Sequence, residues 1–581
     1  MRIPRAGLRG CWPYLLPVAL FLSSILWLGR GLDLSFFHTH DDNPSGLPLA
    51  HVDLGYARYT GNVLPNGVKQ FLGLRYAAPP IGNRRWRAPE KPYYEPRPQL
   101  ATRFGWICYP SSAGFPFAGH SEDCLFANVW APDGANSSSK LPVWVFIQGG
   151  GYSSLANWNW NGSNIVARQK NVIFVNFNYR VGLFGFLASR KIRRDGHLNT
   201  GLLDQRRALE WVKEHIAQFG GDPDHVVIHG VSAGAGSVAM QLLAYGGRTD
   251  GLFVGAIADA TFFPPQPRLD DAEILFERVV QEVGCDNDDD DDQLACLRSR
   301  DTETLQNANL ELPFPGRPER PIFYWSPCVD DEFLTDYPYL MFEKGDFARV
   351  PVMFGTSTDE GSVFAPDASS SDDFVEFMKN QFHYLDSNET EEMLRHYPLK
   401  APLPQHNAWF PSASQAYGEA IFICPSNTVM DALVGTGSGR TSQRALAPAW
   451  SYRFNVIDND VADAGLGVPH VFDAAAIMGP GMIPTPSSYF TYNAPVVPLL
   501  SGYYHSFVRS LDPNPHRAKG APEWPAWSSG ETRLVIETGG KTRFEPIGDN
   551  QRDRCEFWEG LAEITEQGRS GSLGAWSKKQ K

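Results

Sequence analysis

A glycine-flanked serine is the side chain best placed to act as a nucleophile in this sequence. Ser232 stands in the pentapeptide Gly-Val-Ser-Ala-Gly at positions 230–234. This pattern is typical of a nucleophile elbow, in which a serine on a tight strand-to-helix turn exposes its hydroxyl to substrate. Glycine makes up 54 of the 581 residues, so the pattern alone is weak and the surrounding residues must decide.

Candidate donors for such a site occur upstream of the serine. A serine attacks efficiently only when a base removes its proton, an acid orients that base, and preorganised donors bind the oxyanion. Residues 148–152 contain three consecutive glycines directly after an apolar run. Gly150 and Gly151, with the backbone N–H of Ala233, are therefore candidate oxyanion-hole donors. A plain flexible turn is the alternative.

The base and the acid are harder to choose from residue types. Six histidines follow residue 360: His383, His396, His406, His470, His505 and His516. Only His470 lies in a glycine-flanked loop just after a strand candidate, which makes it the preferred base. Asp359 and Glu360 both follow another strand candidate, and Asp473 is a third acid. Residue types leave the choice among these acids open.

Strand-like and helix-like segments alternate around these residues. Short apolar runs are typical of buried strands, and apolar residues at helical spacing are typical of helices. The strand candidates are 143–147, 172–177, 226–228, 350–354 and 450–454, and the helix candidates are 202–216 and 235–244. This alternation predicts an α/β fold with a mostly parallel sheet covered on both faces. Ser232 then lies at the carboxyl ends of the strands, where active sites of such sheets occur.

The composition of the chain is that of a globular protein with material for a large core. Of its 581 residues, 43% are hydrophobic and 20% are charged. The net charge of -14 argues against a nucleic-acid partner and against broad binding to anionic membranes. No metal-ligand spacing appears, and we expect no metal and no organic cofactor. The acidic run at 288–292 is interpreted as a solvated loop rather than a calcium site.

The N-terminal segment predicts entry into the secretory pathway. Arginines precede an apolar run at 11–29 that is about long enough to span a bilayer. The predicted divisions are a signal anchor or signal peptide at 1–30, a linker at 31–48, one globular domain at 49–565 and a flexible tail at 566–581. We expect a protein that is secreted, or anchored with its body outside the cytosol. That segment would be its only membrane contact, and the oligomeric state is left open.

Cysteines and glycosylation sequons agree with an oxidising compartment. Cys108 and Cys124 are close in the sequence, as are Cys285 and Cys296, so each is a natural local disulfide pair. Sequons begin at three asparagines, which are Asn136, Asn161 and Asn388.

Longer motifs resemble those of the type-B carboxylesterase/lipase family, which contains cholinesterases and fungal carboxylesterases and lipases. Residues 219–234 resemble the family's serine signature throughout, and residues 122–129 resemble its second signature. Further landmarks are 178–182 and 201–205. The resemblance runs from about residue 50 to residue 563, and it implies the α/β-hydrolase fold.

This resemblance implies a role for each candidate residue. Ser232 matches the nucleophile, Glu360 the acid and His470 the base. In the acid motif at 358–362 the glutamate acts, which favours Glu360 over Asp359. The matching oxyanion-hole donors are Gly150, Gly151 and Ala233. These matches imply a serine carboxylesterase that forms an acyl-enzyme on Ser232 and acts on small-molecule or lipid esters.

Structural pairs follow from the same resemblance. Of the eight cysteines, Cys11 lies in the apolar N-terminal segment. The family's disulfides match the two local pairs and add Cys424–Cys555, which leaves Cys328 as a buried free thiol. Two buried ion pairs are also implied, Arg85–Glu122 and Arg180–Asp204. Their role would be structural, because breaking such a pair strands a buried charge.

Departures from the family limit the expected substrate. Val231 stands where cholinesterases have a glutamate, and Gly114 replaces a tryptophan. Both lost groups hold a quaternary ammonium, so choline esters are not expected. The loop between Cys108 and Cys124 is shorter than the lid of fungal lipases, which predicts an esterase without strong interfacial activation. Aromatic residues in this loop or just before it either line a substrate pocket or pack the loop: Trp106, Phe115 and Phe117.

Alternative functions stay open at this point. The same three side chains could act on acylglycerols as a lipase, or on amides and peptides. Relatives with a broken triad serve as adhesion proteins, so a non-catalytic binding role is a further hypothesis. The intact serine, glutamate and histidine argue against that role.

Overall fold

The computed structural model describes residues 46–111, 118–154, 160–267, 269–286, 292–435, 447–527 and 532–567. Several predicted features lie outside these stretches: the segment 1–30, most of the linker, Gly114, Phe115, Phe117, positions 288–291 of the acidic run and the tail after Gln567. No helix within the described stretches is long and apolar enough to cross a membrane.

Strands of the described residues form one large sheet. In chain order they are β1 (Leu49–Asp53), β2 (Ala57–Leu64), β3 (Val68–Arg75), β4 (Glu95–Leu100), β5 (Phe126–Pro132), β6 (Leu141–Ile147), β7 (Ile173–Phe177), β8 (Gly221–Val231), β9 (Gly255–Asp259), β10 (Val352–Ser357), β11 (Ala449–Asn455), β12 (Thr532–Glu537) and β13 (Lys541–Pro546).

The sheet is parallel at its centre and antiparallel toward both edges. Its strand order is β1-β2-β3-β5-β7-β6-β8-β9-β10-β11-β12-β13, with β4 paired to β2. All neighbours from β7 to β12 run parallel. Antiparallel pairs involve β1, β2, β3 and β5 at one edge and β13 at the other. The predicted mostly parallel sheet of an α/β-hydrolase is therefore confirmed.

Helices connect the strands. The α-helices of the described residues are α1 (Ser163–Gln169), α2 (Gly182–Phe186), α3 (Arg190–Asp195), α4 (Thr200–His215), α5 (Ala233–Gly247), α6 (Leu269–Glu282), α7 (Gln293–Ser299), α8 (Thr302–Asn307), α9 (Pro338–Lys344), α10 (Ser371–Gln381), α11 (Ser387–His396), α12 (Phe410–Gly418), α13 (Cys424–Val434), α14 (Asn459–Asp463), α15 (Ala474–Met478), α16 (Val496–Ser510) and α17 (Asp549–Gly560). A π-helix at Glu419–Ile423 joins α12 to α13. Short 3-10 helices lie at Gly82–Arg84, Ile216–Phe219, Ser487–Phe490 and Thr538–Gly540.

Strand β6 shows that the sheet is buried on both faces. Val143, Val145 and Ile147 belong to one apolar core, whereas Trp144 and Phe146 belong to a second core. All five side chains are fully buried. Because successive side chains of a strand point to opposite faces, a strand covered on both faces requires consecutive apolar residues. This explains why polar and apolar residues do not alternate in the run at 143–147.

The predicted elements exist, but their ends shift. The helix predicted at 202–216 is α4, and the strand predicted at 226–228 is the second half of β8. Polar residues occupy the first half of β8, so periodicity could not reveal it. The strand predicted from residue 350 begins at Val352 in β10. Pro351 precedes it and has no backbone N–H to donate to a neighbouring strand.

The expected covalent and ionic pairs are present. The disulfides are Cys108–Cys124, Cys285–Cys296 and Cys424–Cys555. Cys328 is a buried free thiol. Nη2 of Arg85 lies 2.5 Å from Oε1 of Glu122, and Nη2 of Arg180 lies 2.7 Å from Oδ1 of Asp204. Both ion pairs are buried, as predicted for structural pairs.

Packed structure continues beyond residue 565, where the domain was expected to end. The side-chain amide of Gln567 donates to the carbonyl oxygens of Phe263 at 2.6 Å and Ala420 at 3.3 Å. Gln567 is 1% exposed, so the first residues of the predicted tail belong to the folded body.

Candidate active site

Ser232 lies on the turn between β8 and α5. Its φ of 56° falls in the left-handed region, which costs a non-glycine residue on the order of 1–3 kcal/mol. The backbone N–H of Ser232 donates to the carbonyl of Asp259 in β9, and its carbonyl accepts from the N–H of Gly236, both at 2.9 Å. These bonds to neighbouring elements hold the strained turn, which is the local structure predicted for a nucleophile elbow.

Two glycines make this turn sterically possible. A Cβ on Gly230 would lie 2.1 Å from the carbonyl oxygen of Gly234, and a Cβ on Gly234 would lie 2.0 Å from that of Ile147. Neither position therefore accepts a side chain without moving the backbone. The spacing of the pentapeptide reflects this close packing of β6, β8 and the start of α5.

The glycine run after β6 faces the serine. A Cβ on Gly149 would lie 2.8 Å from Cβ of Ser232 and 3.4 Å from its Oγ. Gly150 and Gly151 have φ angles of 111° and 63°, which favour glycine. Among the described residues, none accepts a hydrogen bond from the backbone N–H of Gly150, Gly151 or Ala233. The predicted oxyanion-hole donors are thus available for a substrate oxygen.

Glu360 and Asp359, adjacent in sequence, make different contacts. Oε2 of Glu360 lies 2.5 Å from Nδ1 of His470, and its Oε1 accepts from the backbone N–H of Ser357 at 2.5 Å. Asp359 instead accepts from the N–H of Val468 at 2.9 Å, and its own N–H donates to the Val468 carbonyl at 2.9 Å. Burial raises the pKa of Asp359. Glu360 therefore contacts the imidazole of His470, while Asp359 holds the loop that carries His470 in place.

One ring nitrogen of His470 is engaged and the other is not. Nδ1 faces Glu360, whereas Nε2 is buried and has no hydrogen-bond partner among the described residues. The structure thus joins His470 to Glu360 but forms no hydrogen bond from His470 to Ser232. Catalytic hydrogen bonds in ligand-free sites are often long and tighten when substrate binds. A neutral imidazole with its proton on Nδ1 leaves Nε2 as the acceptor that a base requires.

Phenylalanines that sequence reasoning did not identify surround the imidazole. The rings of Phe422 and Phe364 lie 4.3 Å and 5.1 Å from the ring of His470. Phe323 contacts Phe364 and also packs over Gly151, where an added Cβ would lie 2.4 Å from its ring. Phe422 lies on the π-helix, a local irregularity that is common at functional sites. Nothing in the residue pattern marks a π-helix, so these contacts could not be read from the sequence.

A second histidine–carboxylate pair lies beside the elbow and was also missed. Nε2 of His229 in β8 lies 2.8 Å from Oδ2 of Asp259 in β9. Nδ1 of His229 accepts from the indole N–H of Trp144 at 3.0 Å. Both members of the pair are 1% exposed. A histidine inside the apolar run of β8 was the available sequence signal.

Asp473, the third candidate acid, contacts Tyr452. Its Oδ2 lies 2.5 Å from the Tyr452 hydroxyl, and no hydrogen bond joins its side chain to His470 within the described stretches. Burial, with the nearby charge of Asp259, raises the pKa of Asp473 well above its usual range.

One group of described residues could in principle hold a metal ion. Ligand atoms of Asp271, His383 and Glu566 all lie within 4.8 Å of one another. Both carboxylate oxygens of Asp271 already accept from the Tyr384 hydroxyl, at 2.7 Å and 2.8 Å. The group shares no residue with the Ser232, Glu360 and His470 set.

Other predicted sites have definite positions. Trp106 is 43% exposed beside the Cys108–Cys124 loop. The sequon residues Asn136 and Asn388 are exposed, whereas Asn161 is half-buried. Asn388 stands in the first turn of α11. Exposure is what a glycan requires, and glycosylation stays a prediction at all three sites.

Comparison with protein families gives one match over most of the chain. Residues 50–558 match the model of the carboxylesterase family. Secreted lipase 4 of Gibberella zeae is 30% identical over 85% of this chain and 88% of the relative. Secreted lipase 1 of Botryotinia fuckeliana is 31% identical over 81% of this chain and 86% of the relative.

A solved structure has the same fold. The crystal structure of Aspergillus niger EstA superposes with a TM-score of 0.84 and 46% sequence identity. The match covers 89% of this chain and 99% of that protein.

Proposed function

Because this chain belongs to the carboxylesterase family and is a serine ester hydrolase, we propose that it works through an acyl-enzyme formed on Ser232. In this proposal His470 is the general base, Glu360 orients and stabilises it, and the backbone N–H groups of Gly150, Gly151 and Ala233 bind the oxyanion.

The proposed reaction has two halves. Oγ of Ser232 attacks the ester carbonyl carbon while Nε2 of His470 takes the hydroxyl proton, and the tetrahedral oxyanion faces the glycine N–H groups. Collapse breaks the ester C–O bond, and His470 gives its proton to the leaving alcohol. Water then attacks the acyl-enzyme, with His470 taking its proton, and the carboxylic acid leaves as Oγ recovers the proton.

The state of the His470 ring carries this assignment. Glu360 occupies Nδ1 at 2.5 Å, and Nε2 is buried without a hydrogen-bond partner among the described residues. A buried unpartnered ring nitrogen is costly for a purely structural histidine, because burial removes its bond to water. The arrangement is explained if Nε2 is kept free to accept the Ser232 hydroxyl proton when substrate is bound.

Single-turnover measurements test the role of Ser232. With a p-nitrophenyl ester, the wild-type protein should release a burst of p-nitrophenol and gain the mass of one acyl group. Ser232→Ala should show neither. Ser510→Ala is a matched control, since the Ser510 hydroxyl bonds only to carbonyls of its own segment. Full ester turnover in Ser232→Ala would contradict the proposal.

We propose soluble, short-chain or medium-chain esters as substrates. Phenylalanine rings pack beside His470 and over Gly151, and Cys108 and Cys124 are only 16 positions apart in the sequence. A lipase acting on acylglycerols is the second candidate, because the relatives from Gibberella zeae and Botryotinia fuckeliana are named secreted lipases. The rate on tributyrin separates the two. It should saturate smoothly below the solubility limit for an esterase and rise sharply above it for a lipase.

We also propose that the protein leaves the cell through the secretory pathway. Three disulfides fit an oxidising compartment, and named relatives are secreted. N-terminal sequencing of protein from the culture medium tests whether the segment at 1–30 is removed. Recovery of all activity with the membrane fraction would favour an uncleaved anchor instead.

A further inference from the structure

The pair formed by His229 and Asp259 extends into a larger buried cluster. The hydroxyl of Tyr452 in β11 lies 3.1 Å from Oδ1 of Asp259 and 2.5 Å from Oδ2 of Asp473. The hydroxyls of Tyr452 and Tyr504 are 2.9 Å apart, and the Tyr504 hydroxyl also donates to Oδ1 of Asp259. The cluster thus joins side chains of β8, β9, β11 and α16 to Asp473, the residue that directly precedes α15.

This cluster joins the two halves of the proposed site. At one end, the carbonyl of Asp259 accepts from the backbone N–H of Ser232 at 2.9 Å. At the other end, Asp473 follows His470 by three residues and directly precedes α15. Tyr452 spans the gap between the two carboxyl groups, so it connects β9, whose Asp259 carbonyl bonds to Ser232, with the loop that carries His470.

The charges of the cluster do not balance if both carboxyls are ionised. Asp259 and Asp473 are 1% and 2% exposed, and no lysine or arginine among the described residues pairs with either. His229 supplies no positive charge, because its Nδ1 accepts from Trp144 and its proton must lie on Nε2. Two unpaired negative charges buried at this separation are not stable together.

Counting hydrogens shows which carboxyl holds the extra proton. Asp259 faces donors at both oxygens: the N–H of His229 at one, and the hydroxyls of Tyr504 and Tyr452 at the other. The N–H of His229 and the hydroxyl of Tyr504 donate to Asp259 whichever way the single Tyr452 hydrogen points, and these two donors favour the charged form of Asp259. Among the described residues, Tyr452 is the one side chain that hydrogen-bonds to the Asp473 carboxyl, which also faces its own backbone N–H. Asp473 lies near the charge of Glu360 and the rings of Tyr489 and Tyr504. Its protonated oxygen can donate to Tyr452, whose own hydrogen then points to Asp259.

We propose that Asp473 is a neutral carboxylic acid at neutral pH, and that the hydrogen bonds from Asp473 through Tyr452 to the Asp259 carboxylate align the base loop with the nucleophile. Asp259 and Asp473 are thus positioning residues for ester hydrolysis, an inference that rests on the proposed roles of Ser232 and His470.

Infrared spectroscopy of the full chain tests the proton directly. At neutral pH, the difference between wild type and Asp473→Asn should contain a carboxylic-acid C=O stretching band that disappears in the variant. Loss of a carboxylate band instead would overturn the proposal. This readout does not depend on turnover, so it stands even if Ser232→Ala shows that the proposed catalytic roles are wrong.

The pH profile of the same variant tests the charge near the base. Asp473→Asn replaces a neutral group with a neutral group, so the midpoint of the acid limb of kcat/KM should not move. If Asp473 were ionised, its replacement would remove a negative charge near the imidazolium, and the midpoint would move to lower pH. Such a shift would overturn the inference.

Substitutions at the other end of the bridge test positioning. Tyr504→Phe removes one donor to Asp259 and should lower kcat by about 10-fold, with a change in KM of less than about threefold. Asp259→Asn should lower kcat by about 10-fold to 100-fold, since the amide cannot accept from all three donors. Tyr503→Phe is the control, because the neighbouring Tyr503 hydroxyl donates only to the Pro522 carbonyl. Equal kcat values for Tyr504→Phe and Tyr503→Phe would rule out a positioning role.

Discussion

Two buried histidine–carboxylate pairs lie at the carboxyl ends of neighbouring strands, and they differ in one ring nitrogen. In the pair of His470 and Glu360, Nδ1 faces the carboxylate and Nε2 has no hydrogen-bond partner among the described residues. In the pair of His229 and Asp259, Nε2 faces the carboxylate and the indole of Trp144 donates to Nδ1. Burial and a carboxylate partner are common to both.

A carboxylate partner alone therefore does not make a histidine a base. His229 has used both nitrogens within the fold, so it can neither take nor give a proton without breaking a buried bond. His470 keeps one acceptor, and aromatic rings rather than polar groups surround it.

The largest difference is expected between the same substitution at the two histidines. His470→Gln should lower kcat by about 10⁵-fold to 10⁶-fold, because no group remains to take the serine proton. His229→Gln should lower kcat by about tenfold or less, since a glutamine can donate to Asp259 and accept from Trp144. Steady-state kinetics on a p-nitrophenyl ester measures both. Similar losses of kcat in the two variants would contradict the assignment of His470, rather than His229, as the base.

Removing the charge of the acid should have the next largest effect. Glu360→Gln presents an amide N–H to Nδ1, which favours the tautomer with its proton on Nε2. That nitrogen then cannot accept the serine proton, and kcat should fall by about 10⁴-fold. Retention of most activity would contradict the assignment of Glu360 as the acid that orients His470.

A smaller loss is expected at the neighbouring acid. Asp359→Asn keeps an oxygen that can accept from the N–H of Val468, so the loop that carries His470 should hold its position. We expect kcat to fall by less than about tenfold, with no change in the acid limb of the pH profile. A loss as large as that of Glu360→Gln would mean that the two acids share the catalytic role.

The effect with the least bearing on turnover concerns the pH dependence of stability near the second pair. The pKa of Asp473 is raised well above its usual range, chiefly by burial. A raised pKa stabilises the folded state at low pH, and this contribution is lost as pH rises, at up to about 1.4 kcal/mol per pH unit above the unfolded value. As pH rises from 5 to 8, the wild-type protein should lose this stability and Asp473→Asn should not. The unfolding free energy of the variant should therefore increase relative to that of wild type. Thermal melts at both pH values check the sign, and a constant difference would contradict it.

Much of the fold could be read from local patterns. Apolar runs gave the central strands, and glycines at 230 and 234 marked the elbow because backbone crowding forbids a side chain there. The resemblance to a known family supplied the Cys424–Cys555 disulfide, which spans 131 positions and has no local signal. Element ends were less accurate, because polar residues in β8 and a proline before β10 do not follow the apolar period.

Residue patterns alone established the alternating strands and helices of an α/β fold, the elbow serine and a short set of candidate acids and histidines. Tertiary structure decided which of them meet. Asp359 and Glu360 are neighbours, yet their side chains leave the backbone in different directions, so only one reaches the imidazole. His229 gains its partners from β6 and β9, and the Tyr452 bridge joins residues far apart in the chain. The residue type decides whether a side chain can bind a proton. The packing decides whether a nitrogen or oxygen of that side chain is left without a partner and can exchange the proton with a substrate or a nucleophile.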